Sequence, residues 1–208
     1  MKLHNGGWVL LAALLLGAAG LAQADTLIGV LPTTPGGTNY QAYYDSTTNL
    51  TWLANANMNN GTMSWSAAMS WAAGLNINGV TGWTLPTTAD QTCGGYDCTG
   101  SQMGELYFTA GITSSSPAPF SNVQPGDYWS ATEFGSLTDY AWHFDFGDGY
   151  QYNSYTGTGY SYYGWAVHAG NVGAPPTVPE PGTISLMLVG LALVGFSARR
   201  RLALRSLE

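Results

Sequence analysis

Ser64-Trp65-Ser66-Ala67-Ala68-Met69-Ser70-Trp71-Ala72-Ala73-Gly74-Leu75 supplies the α part of the fold. Trp65, Ala68, Met69, Ala72 and Leu75 recur at intervals of three and four, which stacks them on one side of a helix. Ser64 offers a side-chain oxygen to the first turn, and Gly74 suits a left-handed residue at the end. The spacing predicts a helix over 64–75 whose Trp65, Met69 and Trp71 pack in a core rather than hold a ligand. A second, shorter helix is expected from Ser101 to about Ala110, with Met103, Leu106 and Tyr107 inward. Thr99-Gly100-Ser101-Gln102 resembles a capping box at its start.

On either side of these helices the pattern is strand and turn. Leu27 to Leu31 is apolar, Pro32 to Asn39 is turn-forming, and Ala42-Tyr43-Tyr44-Asp45 leads through a polar turn into Leu50-Thr51-Trp52-Leu53, which reads as a hairpin. Gly82-Trp83-Thr84-Leu85-Pro86-Thr87 reads as a strand ending at a proline. Asp127 to Thr132, Tyr140 to Phe146, Gly149 to Asn153 and Tyr162 to His168 are aromatic, alternating segments separated by Gly and polar turns. Early helices and a late, mostly antiparallel β meander make a single α+β domain.

Composition limits what such a domain can bind. All five basic residues lie outside Asp25 to Val178, while ten of the twelve acidic ones lie inside, giving that stretch a formal charge of −10. Nucleic-acid binding draws its electrostatic free energy from Lys and Arg, so that class is excluded, and anionic membranes are disfavoured as direct partners. All thirteen tyrosines fall in the same stretch, and low charge with many aromatics argues for folding rather than disorder. Cys93 and Cys98 are spaced Cys-x4-Cys around Gly94 and Gly95. In an exported protein this reads as a short-loop disulfide, the alternative being a metal pair.

The two ends read as targeting signals. Lys2 is a positive n-region, Trp8 to Gly20 an apolar h-region, and Ala22-Gln23-Ala24 presents small residues to signal peptidase, so cleavage before Asp25 is expected. At the other end, Val178-Pro179-Glu180-Pro181-Gly182 precedes an apolar run and then Arg199, Arg200 and Arg201. Two prolines so spaced keep the motif extended, and the arginines would hold the tail on the cytoplasmic side. This order resembles the PEP-CTERM sorting signal. The resemblance implies an exosortase, a membrane-embedded cysteine transpeptidase, in a Gram-negative bacterium that makes exopolysaccharide; an ordinary tail anchor is the alternative. The expected organisation is a signal peptide over 1–24, a globular domain over 25–173, a Pro-rich linker with the motif over 174–182, a membrane segment over 183–197 and a basic cytoplasmic tail over 198–208. The chain is then exported across the inner membrane, held transiently by 183–197, and left at the cell surface or in the extracellular matrix.

Within the domain, Trp52-Leu53, the helix with Trp65 and Trp71, Trp83-Thr84-Leu85-Pro86-Thr87, Met103-Gly104-Glu105-Leu106-Tyr107, Tyr128-Trp129-Ser130-Ala131-Thr132-Glu133, Ala141-Trp142-His143-Phe144 and Trp165-Ala166-Val167-His168 occur in the order found in Lcl C-terminal-like domains. The resemblance covers most of Tyr43 to Val172. It implies a relative of the C-type lectin and formylglycine-generating enzyme folds. Such domains usually carry a basic residue at the position of Thr84 and an arginine at that of His168. Any family role that depends on those two charges is therefore unsupported in this chain.

Little in the domain points to catalysis. His143 and His168 are its histidines, it has no lysine, and no Gly-x-Ser-x-Gly elbow is present. No catalytic residue and no cofactor are expected, and a hydrolytic enzyme is the least favoured class; His143, in an alternating strand, reads as a cross-strand neighbour. Asp145-Phe146-Gly147-Asp148-Gly149 is the best metal candidate through Asp145 and Asp148. It lacks the further ligands of a calcium loop, and a solvated hairpin turn is the preferred reading. The stretch Tyr150 to Tyr163 holds six tyrosines among Gly, Ser, Thr and Asn. Tyr150, Tyr152, Tyr155, Tyr160 and Tyr162 are candidate glycan contacts, but a hairpin whose alternate tyrosines pack on the core is the preferred reading. The expected function is a non-enzymatic surface or matrix component associated with exopolysaccharide, with a carbohydrate-binding module as the alternative.

Overall fold

The computed structural model describes residues 27–174. The expected signal segment, membrane segment and basic tail lie outside the described residues. Among the described residues no helix is long and apolar enough to cross a membrane.

Three strands open the domain: β1 (Leu27–Pro32), β2 (Tyr40–Asp45) and β3 (Leu50–Leu53). The expected hairpin is β2 and β3, paired antiparallel with Tyr43 opposite Trp52 and Asp45 opposite Leu50. Its turn is built by Asp45, whose Oδ1 accepts from the amides of Thr47 at 2.8 Å and Thr48 at 3.2 Å, while Oδ2 accepts from the Thr48 hydroxyl at 2.6 Å. These bonds compensate the burial of a carboxylate in an apolar hairpin. Every residue of β3 is buried, as expected of a strand with neighbours on both edges.

Helix α1 (Trp65–Ala73) starts at Ser64, whose hydroxyl accepts from the Ala67 amide at 3.4 Å. Ala68 and Ala72 are buried, and Trp65, Met69, Trp71 and Leu75 pack against the core from its edge. The expected left-handed end is not observed: Gly74 has φ −83° and donates its amide back to Ser70 and Trp71 carbonyls, so it continues the right-handed turn. Helix α2 (Gln102–Phe108) is shorter than expected, and Ser101, not Thr99, caps it by accepting from the Gly104 amide at 3.0 Å. Gln102 is drawn away from any capping box because its Oε1 accepts from the Thr87 amide at 2.8 Å.

A second sheet contains β4 (Asp127–Phe134), β5 (Leu137–Asp145) and β6 (Gln151–Tyr155), antiparallel in that order. Two expectations fail around it. The 82–87 stretch forms no strand, only a bridge from Thr84 to Val167. The segment from Tyr162 to His168 does not extend the meander. It first runs beside β4, where the Trp129 amide donates to the Tyr163 carbonyl at 3.0 Å. It then crosses to the first sheet as β7 (Val167–Ala169), pairing antiparallel with β3. This segment is the seam between the sheets. At its centre Trp165 is fully buried against Trp52, Phe120, Tyr128 and Phe146, with ring centroids 5.0 to 5.9 Å away. Its Nε1 donates to the Leu53 carbonyl at 2.8 Å.

Cys93 and Cys98 form the expected disulfide. Closing so short a loop stabilises the fold by about 2 kcal/mol in the chain-entropy picture. The loop is tied to β6, since Gly95 pairs with Gln151 and the Gln151 side-chain amide donates to the Cys93 carbonyl at 2.8 Å.

Candidate functional site

The β5–β6 hairpin presents most of the exposed aromatic surface. Tyr152, Tyr155 and Tyr160 are exposed, Tyr150 is half-buried, and Tyr162 turns inward. Tyr162 stacks at 4.4 Å from Trp129, and its hydroxyl donates to Ser154 at 3.1 Å, so it is packed on the sheet rather than presented to solvent. Burial holds its phenol above the ordinary value. Two tyrosines that the local sequence did not connect with this stretch join it. Tyr140, cross-strand from Tyr155, lies 5.7 Å from it, and Tyr155 lies 6.2 Å from Tyr160. Tyr96, on the disulfide loop, lies 5.0 Å from Tyr150, which is 5.9 Å from Tyr152. The result is two contiguous tyrosine clusters along one hairpin. Only β6 within Tyr150 to Tyr163 is a strand; residues 156–163 return as a loop.

Asp145 and Asp148 occupy the β5–β6 turn. Asp145 Oδ1 accepts from the Gly147 amide at 2.6 Å, and Asp148 Oδ1 from the Tyr150 amide at 3.0 Å. Burial raises the Asp145 carboxyl above the usual range; the Gly147 amide opposes this, and the charges of Asp127 and Asp148 add to it. Asp148 Oδ2 accepts from the Tyr96 hydroxyl at 3.3 Å, and its negative charge is the main reason the Tyr96 phenol is held above its ordinary value. Among the described residues no group of three His, Cys, Asp or Glu side chains could hold a metal ion.

His143 is a cross-strand neighbour of Trp129 and Tyr152, and it also has an acidic partner. Its Nδ1 lies 2.7 Å from Asp127 Oδ1, and its ring lies 4.9 Å from that of Tyr162. With Asp127 ionised, Nδ1 carries the proton. The pair orients an imidazole within aromatic walls, the arrangement that would steer a base. Ser154, on the same sheet face, accepts from the Tyr162 hydroxyl. Asp127 and His143 lie sixteen residues apart, and nothing in the local pattern pairs them; the register of β4 against β5 does.

Thr84 and His168, where the resemblance implies basic residues, are brought close together by the Thr84 to Val167 bridge. His168 stacks edge-on against Trp83 at 5.6 Å, with Nδ1 2.6 Å from the Ala169 carbonyl. Thr84 is exposed. Ala22, Ala24 and Asp25 of the expected signal cleavage site, and Val178, Pro179, Glu180, Pro181 and Arg199 to Arg201 of the sorting motif, lie outside the described residues.

Comparison with known families matches residues 41–168 to the Lcl C-terminal domain and residues 177–201 to the PEP-CTERM protein-sorting motif. No curated protein and no solved structure matches the chain. The first match spans all the elements from β2 to the seam, and the second carries the signal for exosortase-dependent export to the cell surface or the medium. The chain therefore belongs to the Lcl C-terminal domain family and carries a PEP-CTERM sorting motif behind that domain.

Proposed function

We propose that this protein is a non-enzymatic component of the exopolysaccharide or biofilm matrix, exported by signal peptidase-dependent secretion, held briefly by residues 183–197, and released or attached by an exosortase. The observation that carries this reading is the sorting motif at 177–201. Two features of the domain support it. Its fixed charge is acidic throughout, so it has no cation with which to grip phosphate backbones. The His143 ring is buried, packed against Trp129 and Tyr162, so the imidazole of the Asp127–His143 pair has little access to solvent. The reading includes a variant of the C-type lectin and formylglycine-generating enzyme architecture, consistent with two antiparallel sheets flanked by two helices.

A second reading, carbohydrate binding through the hairpin, is favoured by the exposure of Tyr152, Tyr155 and Tyr160 beside Tyr96 and Tyr140. Phenol faces stack on sugar rings while their hydroxyls hydrogen-bond. Polysaccharide purified from the producing strain is expected to retain the protein. Tyr155→Ala should weaken retention by about 1 kcal/mol, roughly fivefold in Kd. No retention would remove both the binding module and the matrix association. Retention unchanged in a Tyr152→Ala, Tyr155→Ala, Tyr160→Ala triple variant would keep the matrix role and remove the hairpin.

A further inference from the structure

We propose that Tyr96 and Tyr150 form an oxidative cross-linking site, in which Asp148 accepts the phenolic proton and the two rings couple as dityrosine. Three observations converge on this pair. Their ring centroids are 5.0 Å apart, the shortest separation in either surface tyrosine cluster. Tyr96 is 60% exposed, more than any other large aromatic side chain of the described residues, so a bulky external oxidant can reach it. Asp148 Oδ2 accepts from the Tyr96 hydroxyl at 3.3 Å, and its Oδ1 accepts from the Tyr150 backbone amide at 3.0 Å, which fixes Tyr150 beside the Tyr96 ring.

The carboxylate on its hydroxyl is what separates Tyr96 from the other exposed tyrosines. An oxidised phenol is a strong acid and must lose its proton as the electron leaves. A base already hydrogen-bonded to the hydroxyl removes that barrier, as a positioned base does in any proton transfer. Among the described residues no hydrogen-bond partner meets the hydroxyls of Tyr140, Tyr155 or Tyr160, although their rings touch. Both cysteines are in the disulfide; Trp52, Trp83, Trp129, Trp142 and Trp165 are buried, and Trp65 and Trp71 are half-buried against the core, so each is less open to an external oxidant than Tyr96. Met58 is exposed, but its two-electron oxidation to a sulfoxide forms no cross-link.

The oxidant is hydrogen peroxide used by a haem peroxidase. Each phenol loses one electron and one proton, and the two radicals join through the ring carbons beside their hydroxyls. The two displaced C–H protons then move to the oxygens, restoring two phenols. Peroxide takes up the two electrons and two protons and leaves as two waters. The product is a second covalent staple from the disulfide loop to the β5–β6 turn, one that reduction of Cys93–Cys98 cannot open. It does not depend on what the hairpin binds.

The test is treatment of the full-length chain with horseradish peroxidase and a limiting amount of peroxide, followed by disulfide reduction and peptide mapping. A Tyr96–Tyr150 linkage is expected as the main product, absent in Tyr96→Phe and reduced severalfold in Asp148→Asn. Asp148→Asn keeps the side-chain oxygen that receives the Tyr150 amide, so the turn is retained. Absence of dityrosine, dominance of a Tyr140–Tyr155 or Tyr155–Tyr160 linkage, or an undiminished yield in Asp148→Asn would each overturn the proposal.

Discussion

Trp165→Ala is expected to lower the free energy of unfolding by about 4 kcal/mol, within the range of a buried aromatic truncated to alanine. That would consume much of the ~5–15 kcal/mol that holds a domain of this size. Trp165 touches residues of the first sheet, the second sheet and the long connection at once, through Trp52, Tyr128 and Phe120. Removing it leaves a void at the seam that neither sheet can close alone, and it strips the Leu53 carbonyl of its buried donor. Trp165→Phe separates the two effects. It keeps most of the packing, loses the hydrogen bond, and should cost about 1–2 kcal/mol. Urea unfolding of the three proteins checks this. A loss under about 1 kcal/mol for the alanine variant would mean that the sheets are held by something other than this ring.

The second large effect is expected at a glycine. A Cβ at Gly104 would lie 1.9 Å from the Cys98 carbonyl oxygen and 3.0 Å from its carbon. Backbone atoms at the disulfide cannot rotate aside as a flexible side chain would. Gly104→Ala must therefore push α2 away from the disulfide loop and disturb the Ser101 cap, whose hydroxyl accepts from the Gly104 amide. The cost should reach about 3 kcal/mol, the upper part of the range for overpacking. Gly126→Ala is the matched control, because its Cβ would meet only Tyr163 at an ordinary 3.6 Å. It should shift stability by less than about 1 kcal/mol in either direction. Equal thermal midpoints for the two variants would contradict the close approach of α2 to the loop.

Local pattern carried much of this fold. The three-and-four spacing from Trp65 to Leu75 located α1, and Ser64 capped it as expected. The β2–β3 hairpin, the Cys93–Cys98 bridge and the three late strands were equally readable, because each is made of residues close together in the chain. What escaped was long-range. The seam segment alternates like any strand, and nothing local tells it to leave the meander and pair with β3, more than a hundred residues earlier. Gln102 was legible as a capping residue until the Thr87 amide claimed its side chain. Gly74 could have turned left-handed, but the hydrogen bonds back to Ser70 and Trp71 kept the helix sense.

The surface site divides in the same way. The run of tyrosines from Tyr150 to Tyr163 is legible in the sequence, but not which of them are exposed, and Tyr96 and Tyr140 reach Tyr150 and Tyr155 only through cross-strand register and the bridge from Gly95 to Gln151. Alternation within Tyr150 to Tyr163 could not show that Tyr162 folds under the sheet, because the loop before it reverses direction. The Asp127–His143 pair likewise follows from the register of β4 on β5. In the sorting motif the information is sequential: two prolines, an apolar run and an arginine cluster in order. That is why it could be read with no structure at all.

Export followed by processing at the sorting motif would leave a mature chain shortened at both ends. Mass spectrometry of the protein recovered from its native host reads both ends directly. The mature chain is expected to begin at Asp25 and to end near Pro179-Glu180-Pro181. A mature chain that still carries Arg199, Arg200 and Arg201 would contradict it.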